Sequence, residues 1–259
     1  MSILNDTKLN SIASRMLDDY DNATPGTIFS EGLRLEEADA WRLQQAVTRL
    51  REKRGEKAIG YKIGCVSAGN QQMMGLNHPV WGRLWDTEIH EDGAALRKAD
   101  YSNIALEAEF SVTFCTDIDA STNTEKITAS VDAIYPVLEM HNLTLRGERP
   151  HGHELIANNA IHCGVIKGAP MRELASSIET DMQLVYDGET VDSWEKLVCP
   201  ADVLAAVHWL AQRLDADGTV LKKGELILTG AWGPPIALAD HTHVGLISKA
   251  FGNVNASFS

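Results

Sequence analysis

The segment Ile104-Ala-Leu-Glu-Ala-Glu-Phe-Ser-Val-Thr-Phe114 sets the strongest limit on what this chain can fold into. Ile104, Leu106, Ala108, Phe110, Val112 and Phe114 alternate with Ala105, Glu107, Glu109, Ser111 and Thr113. Residues two apart on a strand share a face, so the period predicts a β-strand with Glu107 and Glu109 on one side, roughly 6.5–7 Å apart at the backbone. Like charges that close repel unless water bathes both or a cation lies between them. A hard divalent cation is held by carboxylates in this way. A second strand-like run, Ala133 to His141, carries a lone acid, Glu139, among apolar residues. A carboxylate there needs a partner or is pushed toward neutrality. Glu107, Glu109 and Glu139 on two strands would make an oxygen-rich Mg²⁺ or Mn²⁺ site with positions left for water and substrate. The pattern alone also admits a solvated strand face, with Glu139 paired to a surface lysine or arginine.

Lys62 is the other notable charge, set between glycines and large apolar residues in Ile59-Gly-Tyr-Lys-Ile-Gly64. That setting predicts a partly buried cation with a lowered pKa, suited to proton transfer or to holding an anion. An exposed lysine on an edge strand is the alternative.

Charge narrows the function classes. Lys plus Arg is 23 and Asp plus Glu is 36, a net charge of −13. An acidic chain argues against nucleic acid and anionic membrane surfaces, which need a positive footprint. An acidic small-molecule ligand must then be met locally, by a metal ion or a few placed cations. No apolar run approaches the roughly 20 residues of a membrane-spanning helix. The opening residues carry neither a basic region nor an apolar stretch, so the expectation is a cytoplasmic protein. Cys65, Cys115, Cys163 and Cys199 are far apart and form no Cys-x-x-Cys pair, which suggests neither a zinc ribbon nor a disulfide framework.

Helical periodicity marks the start of the chain. Leu9, Ile12, Ala13, Met16 and Leu17 predict one helix, and Ala40, Leu43, Ala46, Val47 and Leu50 a second from Glu36 to about Arg54, ended by Gly55. Beyond residue 58, short β-prone runs alternate with turns. Candidate strands are 59–65, 104–115, 133–142, 161–166, 182–186, 225–229, 241–247 and 253–258, with Asp187-Gly188 as a hairpin signal. One more helix is predicted from Pro200 to about Leu214. The fold class is α+β: a helical N-terminal segment over 1–56, leading into a β-rich domain over 57–259.

Five motifs occur in order: Gly60-Tyr-Lys-Ile-Gly64, Gln71-Gln-Met-Met-Gly75, Leu106-Glu-Ala-Glu-Phe110, Val137-Leu-Glu139, and Leu226-Ile-Leu-Thr-Gly-Ala231 with Gly233-Pro234. Together they resemble the hydratase/decarboxylase branch of the fumarylacetoacetate hydrolase-like superfamily, which includes 2-hydroxypentadienoate hydratases and 4-oxalocrotonate decarboxylases. The resemblance spans most of the chain. It implies a mixed β-roll, a Mg²⁺ or Mn²⁺ cofactor, a small 2-oxo acid substrate, a part in aromatic-compound breakdown, and a homo-oligomer or a complex with a related lyase subunit. It makes Glu107, Glu109 and Glu139 the metal ligands, Lys62 the active-site lysine, and Asn159 an asparagine near the site. The activity implied is a metal-dependent lyase acting on a 2-oxo or 2-hydroxydienoic acid through an enolate, of the 2-oxopent-4-enoate hydratase type. A 4-oxalocrotonate-type decarboxylase, an acylpyruvate C–C hydrolase and a non-catalytic partner subunit are the alternatives.

The chain departs from that pattern in places that bear on chemistry. Hydratases of the branch usually carry an Asp after the proline of Asn77-His-Pro-Val-Trp-Gly82, where this chain has Val80. Valine neither gives nor takes a proton, which favours the decarboxylase. Thr144 stands in the place of a common Arg, and Asn158 in that of an Asp. His78, beside Val80, and His141, on the face of Glu139, are candidates to replace the missing acid or base at the substrate. Trp81 and Trp85 fit either a pocket wall or the core.

Overall fold

A computed structural model describes residues 4–172 and 177–259. The chain opens with α1 (Asp6–Asp21) and α2 (Glu37–Lys53). Asn5 caps α1, its side chain accepting from the Lys8 N–H at 2.9 Å. Gly55, at φ +102°, lets the chain leave α2 in a conformation that side chains resist. There follow β1 (Ala58–Gly64), α3 (Ala68–Met74), β2 (Val80–Trp85), β3 (Ile89–Glu91), β4 (Ala94–Leu96) and β5 (Ile104–Phe114). Next come α4 (Thr124–Ala129), β6 (Val131–Asn142), α5 (Gly152–Ala157), β7 (His162–Lys167), and the hairpin β8 (Ile178–Tyr186) and β9 (Glu189–Cys199). The chain closes with α6 (Ala201–Leu204), α7 (Val207–Ala216), β10 (Leu226–Leu228), β11 (Ile236–Ala237), β12 (His243–Ser248) and β13 (Gly252–Phe258).

The strands form two sheets. The larger runs β2-β1-β10-β5-β6-β7-β3, with β11 also on β5; the smaller runs β4-β13-β12-β8-β9. This mixture of helices and curled sheets is the α+β, roll-like class expected from the sequence. Strands β5 and β6 pair antiparallel along almost their whole length, from Ile104 opposite Asn142 to Phe114 opposite Val131. Both lie in the middle of the larger sheet and are buried on both faces.

The two faces differ in chemistry. Leu106, Ala108, Phe110 and Val112 of β5 and Leu138 and Met140 of β6 join the main core, which also takes in Leu9 and Ile12 of α1, Leu43 of α2 and Leu246 of β12. Each fully buried side chain of this size contributes about 1.5–3 kcal/mol of transfer free energy. The opposite face carries a smaller apolar cluster, Leu84, Ala133, Tyr135, Val137, Val165, Leu226 and Leu228. It is also the face of Glu107, Glu109, Glu139 and His141, by strand parity.

One expectation needs correction, and one open alternative is settled. The late helix is not continuous, because α6 and α7 are separated at Ala205–Ala206, where Ala206 has φ −95° and ψ −9°. Val203, Leu204, Val207 and Leu210 still bury. Trp81 and Trp85 belong to the core: both are fully buried, and Trp81 stacks on Trp41 at 5.5 Å.

Candidate active site

Register places the acids. Glu107 lies directly opposite Glu139, Glu109 lies two residues along β5 on one side, and His141 lies two residues along β6 on the other. Lys62 comes from β1, opposite Leu228 of β10, which is in turn opposite Ser111 of β5. Five ionisable side chains from three strands therefore meet on one face. Glu109, Glu139, Lys62 and His141 are 3% exposed or less. Glu107 is the most open, with its side chain 13% exposed.

Their contacts form a tight network. Lys62 Nζ lies 3.2 Å from Glu139 Oε1 and donates to the carbonyl of Ala160 at 3.3 Å. His141 Nε2 lies 3.0 Å from Glu107 Oε2 and 3.3 Å from Glu139 Oε2. His162 Nδ1 lies 2.8 Å from Glu139 Oε1. Gly230 donates its N–H to Glu109 Oε1.

Electrostatics follow from burial and from three acids sharing one site. Burial and then repulsion from Glu139 and Glu107 push Glu109 well above the usual carboxylate range, against the Gly230 N–H and Lys62. Burial would raise Glu139 too, but Lys62, His141 and His162 hold it well below that range. Burial opposes charge on His141, yet Glu139 and Glu107 outweigh it and bring the imidazole up to about 9. For Lys62 the expected lowering is overturned. Burial does disfavour the ammonium, but Glu139, Glu107 and Glu109 lift its pKa above the ordinary lysine value.

The donor set fits a divalent cation. Oxygen or nitrogen atoms of Glu107, Glu139 and His141 all lie within 4.8 Å of one another. Glu109 Oε2 is buried and has no hydrogen-bond partner among the described residues. A buried carboxylate oxygen without a donor is costly, and a cation beside Glu107 and Glu139 would satisfy it.

The site opens into a cavity of about 150 Å³. Lys62, Glu107 and His141 supply its charged groups, and Val66, Met73, Met74, Val80, Leu145, Leu155, Pro234 and Pro235 supply much of its apolar wall. Val80 is fully buried and lies opposite Gly64. The Ala160–Ile161 wall belongs to a short left-handed turn, in which Asn159, Ala160 and Ile161 all have φ between 53° and 56°. Positive φ is unusual for alanine and costly for a β-branched isoleucine. The turn is what aims the Ala160 carbonyl at Lys62.

Two candidates from the sequence do not line the cavity, though Asn159 adjoins it next to Ala160. Asn159 clasps the backbone of Arg83, accepting its N–H at 2.7 Å and donating to its carbonyl at 2.9 Å. It thus fixes the turn to β2 rather than lining the cavity. His78 points away, with Nε2 3.0 Å from Glu37 Oε1 and its ring stacked on Trp209. It borders a separate, shallow groove with Trp41 and Arg213. The sequence reading also missed His162. Its only signal was a histidine at the start of a candidate strand, and pairing of β6 with β7 is what brings it to Glu139.

No family model matches the chain. The 2-keto-4-pentenoate hydratase of Paraburkholderia phymatum is 30% identical over 226 residues, 85% of this chain and 85% of that one. The chain belongs to the hydratase/decarboxylase branch of the fumarylacetoacetate hydrolase-like superfamily. Within the branch, a Pseudomonas protein named 4-oxalocrotonate decarboxylase is 26% identical over 253 residues, 96% of this chain and 98% of that one. The fold is likewise that of the branch. A solved structure of 4-oxalocrotonate decarboxylase from Pseudomonas putida G7, complexed with magnesium and adipate, matches with TM-score 0.88 over 100% of both chains, at 22% identity.

Proposed function

We propose that the protein is a divalent-metal-dependent lyase acting on 2-oxo or 2-hydroxydienoic acids, of the 2-oxopent-4-enoate hydratase type. The observation that carries this reading is the trio of carboxylates facing one lysine at the floor of a largely apolar cavity. Glu107, Glu109 and Glu139 would hold Mg²⁺ or Mn²⁺. A bound divalent cation would supply Lewis acidity, stabilising the negative charge that gathers on a 2-oxo oxygen when a nearby carbon loses a proton or carbon dioxide.

The protein's own groups do the rest. The ion pair with Glu139 favours the ammonium form of Lys62. Glu139 and the Ala160 carbonyl engage two of its three N–H groups, and the third serves the substrate. From there it pairs with a carboxylate or hands a proton to the reacting carbon. The apolar wall excludes water from the substrate's far end, which strengthens each charge interaction at the floor. We extend the reading to a cytoplasmic homo-oligomer acting in aromatic-compound breakdown, as the branch resemblance implies.

A second reading, decarboxylation of a 4-oxalocrotonate-type acid, is favoured by Val80. Loss of CO₂ needs no group to activate water, and the Val80 side chain, fully buried, offers none. One assay separates the two. Purified protein is incubated with Mg²⁺ or Mn²⁺ and a panel of 2-hydroxydienoates with and without a second carboxylate, following dienol absorbance and CO₂ release. Absorbance loss without CO₂ supports the hydratase, and stoichiometric CO₂ supports the decarboxylase. EDTA should abolish turnover, and Glu107→Gln should lower it by about 100-fold or more with weakened metal binding. Metal binding without turnover of any panel member would point instead to a partner subunit.

A further inference from the structure

We infer that a small pocket behind α1 is a second binding site, taking a small monovalent cation of the ammonium type. It backs onto the main cavity, with Ile161 lining both, and it stands independently of the lyase reading.

The pocket is built where the N-terminal helices meet the large sheet. Its volume is about 50 Å³, enough for one small ion and its nearest water. Asp19 and Tyr20 of α1, Phe29, Ser102, Asn142 at the end of β6 and His162 at the start of β7 line it. Three polar atoms of these side chains have no hydrogen-bond partner among the described residues: Asp19 Oδ2, Ser102 Oγ and His162 Nε2. Ser102 and His162 are 4% exposed or less. Unsatisfied polar atoms at that depth are costly, so the pocket favours an occupant that meets all three.

The three atoms face that occupant as acceptors. Asp19 offers a carboxylate oxygen, and Ser102 a hydroxyl oxygen. His162 directs its Nδ1 hydrogen to Glu139 Oε1 at 2.8 Å, which leaves Nε2 its lone pair. The carboxylate oxygen facing Nε2, Glu88 Oε2, is 3.9 Å away and is an acceptor too. Donors of the lining point elsewhere. The Tyr20 hydroxyl donates to Glu88, the Thr24 and Thr144 hydroxyls donate to the carbonyls of Asn22 and Asn142, and the Asn158 amide donates to the Glu154 carbonyl.

An acceptor-rich wall selects its ligand. A water molecule brings lone pairs as well as hydrogens, and those lone pairs find few donors here. An ammonium group only donates. Charge points the same way, because the lining holds the Asp19 carboxylate and neither lysine nor arginine. The aromatic rings of Tyr20 and Phe29 complete a lining suited to a cation and unsuited to an acid. An ion held there would tie α1 to the ends of β6 and β7.

Thermal melts in choline chloride, with other chloride salts exchanged in at constant ionic strength, test the site without any substrate. Ammonium should raise the unfolding midpoint saturably, by roughly 3–5 °C at ten times its Kd, and sodium by much less. Asp19→Asn and Ser102→Ala should each move the ammonium response to about tenfold higher concentration or beyond. Crystals soaked in thallium(I), an ion of similar size and charge, should show an anomalous peak beside Asp19 Oδ2. Equal responses to sodium and ammonium, or an ammonium response that Asp19→Asn leaves unchanged, overturn the inference. Water density in the pocket with no anomalous peak overturns it as well. The thallium peak in wild-type crystals keeps the test decisive even if a variant folds poorly. The lyase reading stands under every one of these outcomes.

Discussion

On the proposed reading, Val80 is the residue that would separate hydration from decarboxylation. It is buried in the cavity wall opposite Gly64, where it can neither activate water nor accept a proton. Val80→Asp should raise water addition relative to CO₂ release by about tenfold, in line with a modest general-base contribution, read as the product ratio from one substrate. An unchanged ratio in a folded variant would show that Val80 does not govern the partition. Other residues show how far sequence reasoning reaches at this scale. Strand parity was enough to put Glu107 and Glu109 on one face, because a period of two needs only local information. It could not supply the sign of the Lys62 shift, which is set by acids on strands β5 and β6, distant in the sequence. His78 stood two residues before Val80 in sequence, but its ring found Glu37 and Trp209 instead. His162 had no local pattern to mark it, since its place beside Glu139 depends on the pairing of β6 with β7.

Among the elements, β1 has the tightest fit. A Cβ at Gly60 would stand 1.9 Å from the Leu226 carbonyl oxygen of β10, the parallel partner strand. That atom is backbone and cannot swing aside. Gly60→Ala should therefore force β1 and β10 apart and cost about 3 kcal/mol or more, measured by urea unfolding. It should also lower activity, because β1 carries Lys62. A cost below about 0.5 kcal/mol would mean that the two strands can separate freely. The strands legible in the sequence were those with clean alternation or a turn signal, such as β5, β6 and the β8–β9 hairpin turn. Strand β2 escaped notice because it is buried at nearly every position and lacks alternation. Strand β9 escaped because most of its side chains are exposed or half-buried and polar, as suits the end strand of a sheet. The left-handed turn at 159–161 had no glycine to announce it.

At the scale of the whole molecule, a buried charge network ties the N-terminal helices to the large sheet. Arg51 of α2 pairs with Glu56 and Glu88, lies over the Trp85 ring at 4.5 Å, and packs on Tyr20 of α1. Tyr20 in turn donates to Glu88 at 2.5 Å. Arg51→Ala leaves Glu56 and Glu88 without their shared cation and should cost roughly 3–5 kcal/mol, seen as a large fall in the unfolding midpoint. Glu56 gives the network a pH signature. Burial would raise its carboxyl, but Arg51 and Arg54 bring it down from 4.5 to about 2. The folded value lies below the unfolded one, so its contribution is complete above about pH 4.5 and fades as pH falls toward 2. At neutral pH, Glu56→Gln should be less stable than the wild type by about 1–2 kcal/mol after allowance for solvent screening. The gap should close through that acidic window in thermal melts, and a gap that stays constant would remove Glu56 from the account.

Helix α3 spans seven residues and buries none of them, yet it lends Asn70, Met73 and Met74 to the cavity. The reactive donors sit instead on long, doubly covered strands. On the proposed reading, the far end of the substrate would rest partly on this lightly packed helix. Descendants of this chain could acquire new diets by rewriting that one short outer segment while the chemistry beneath it stays untouched.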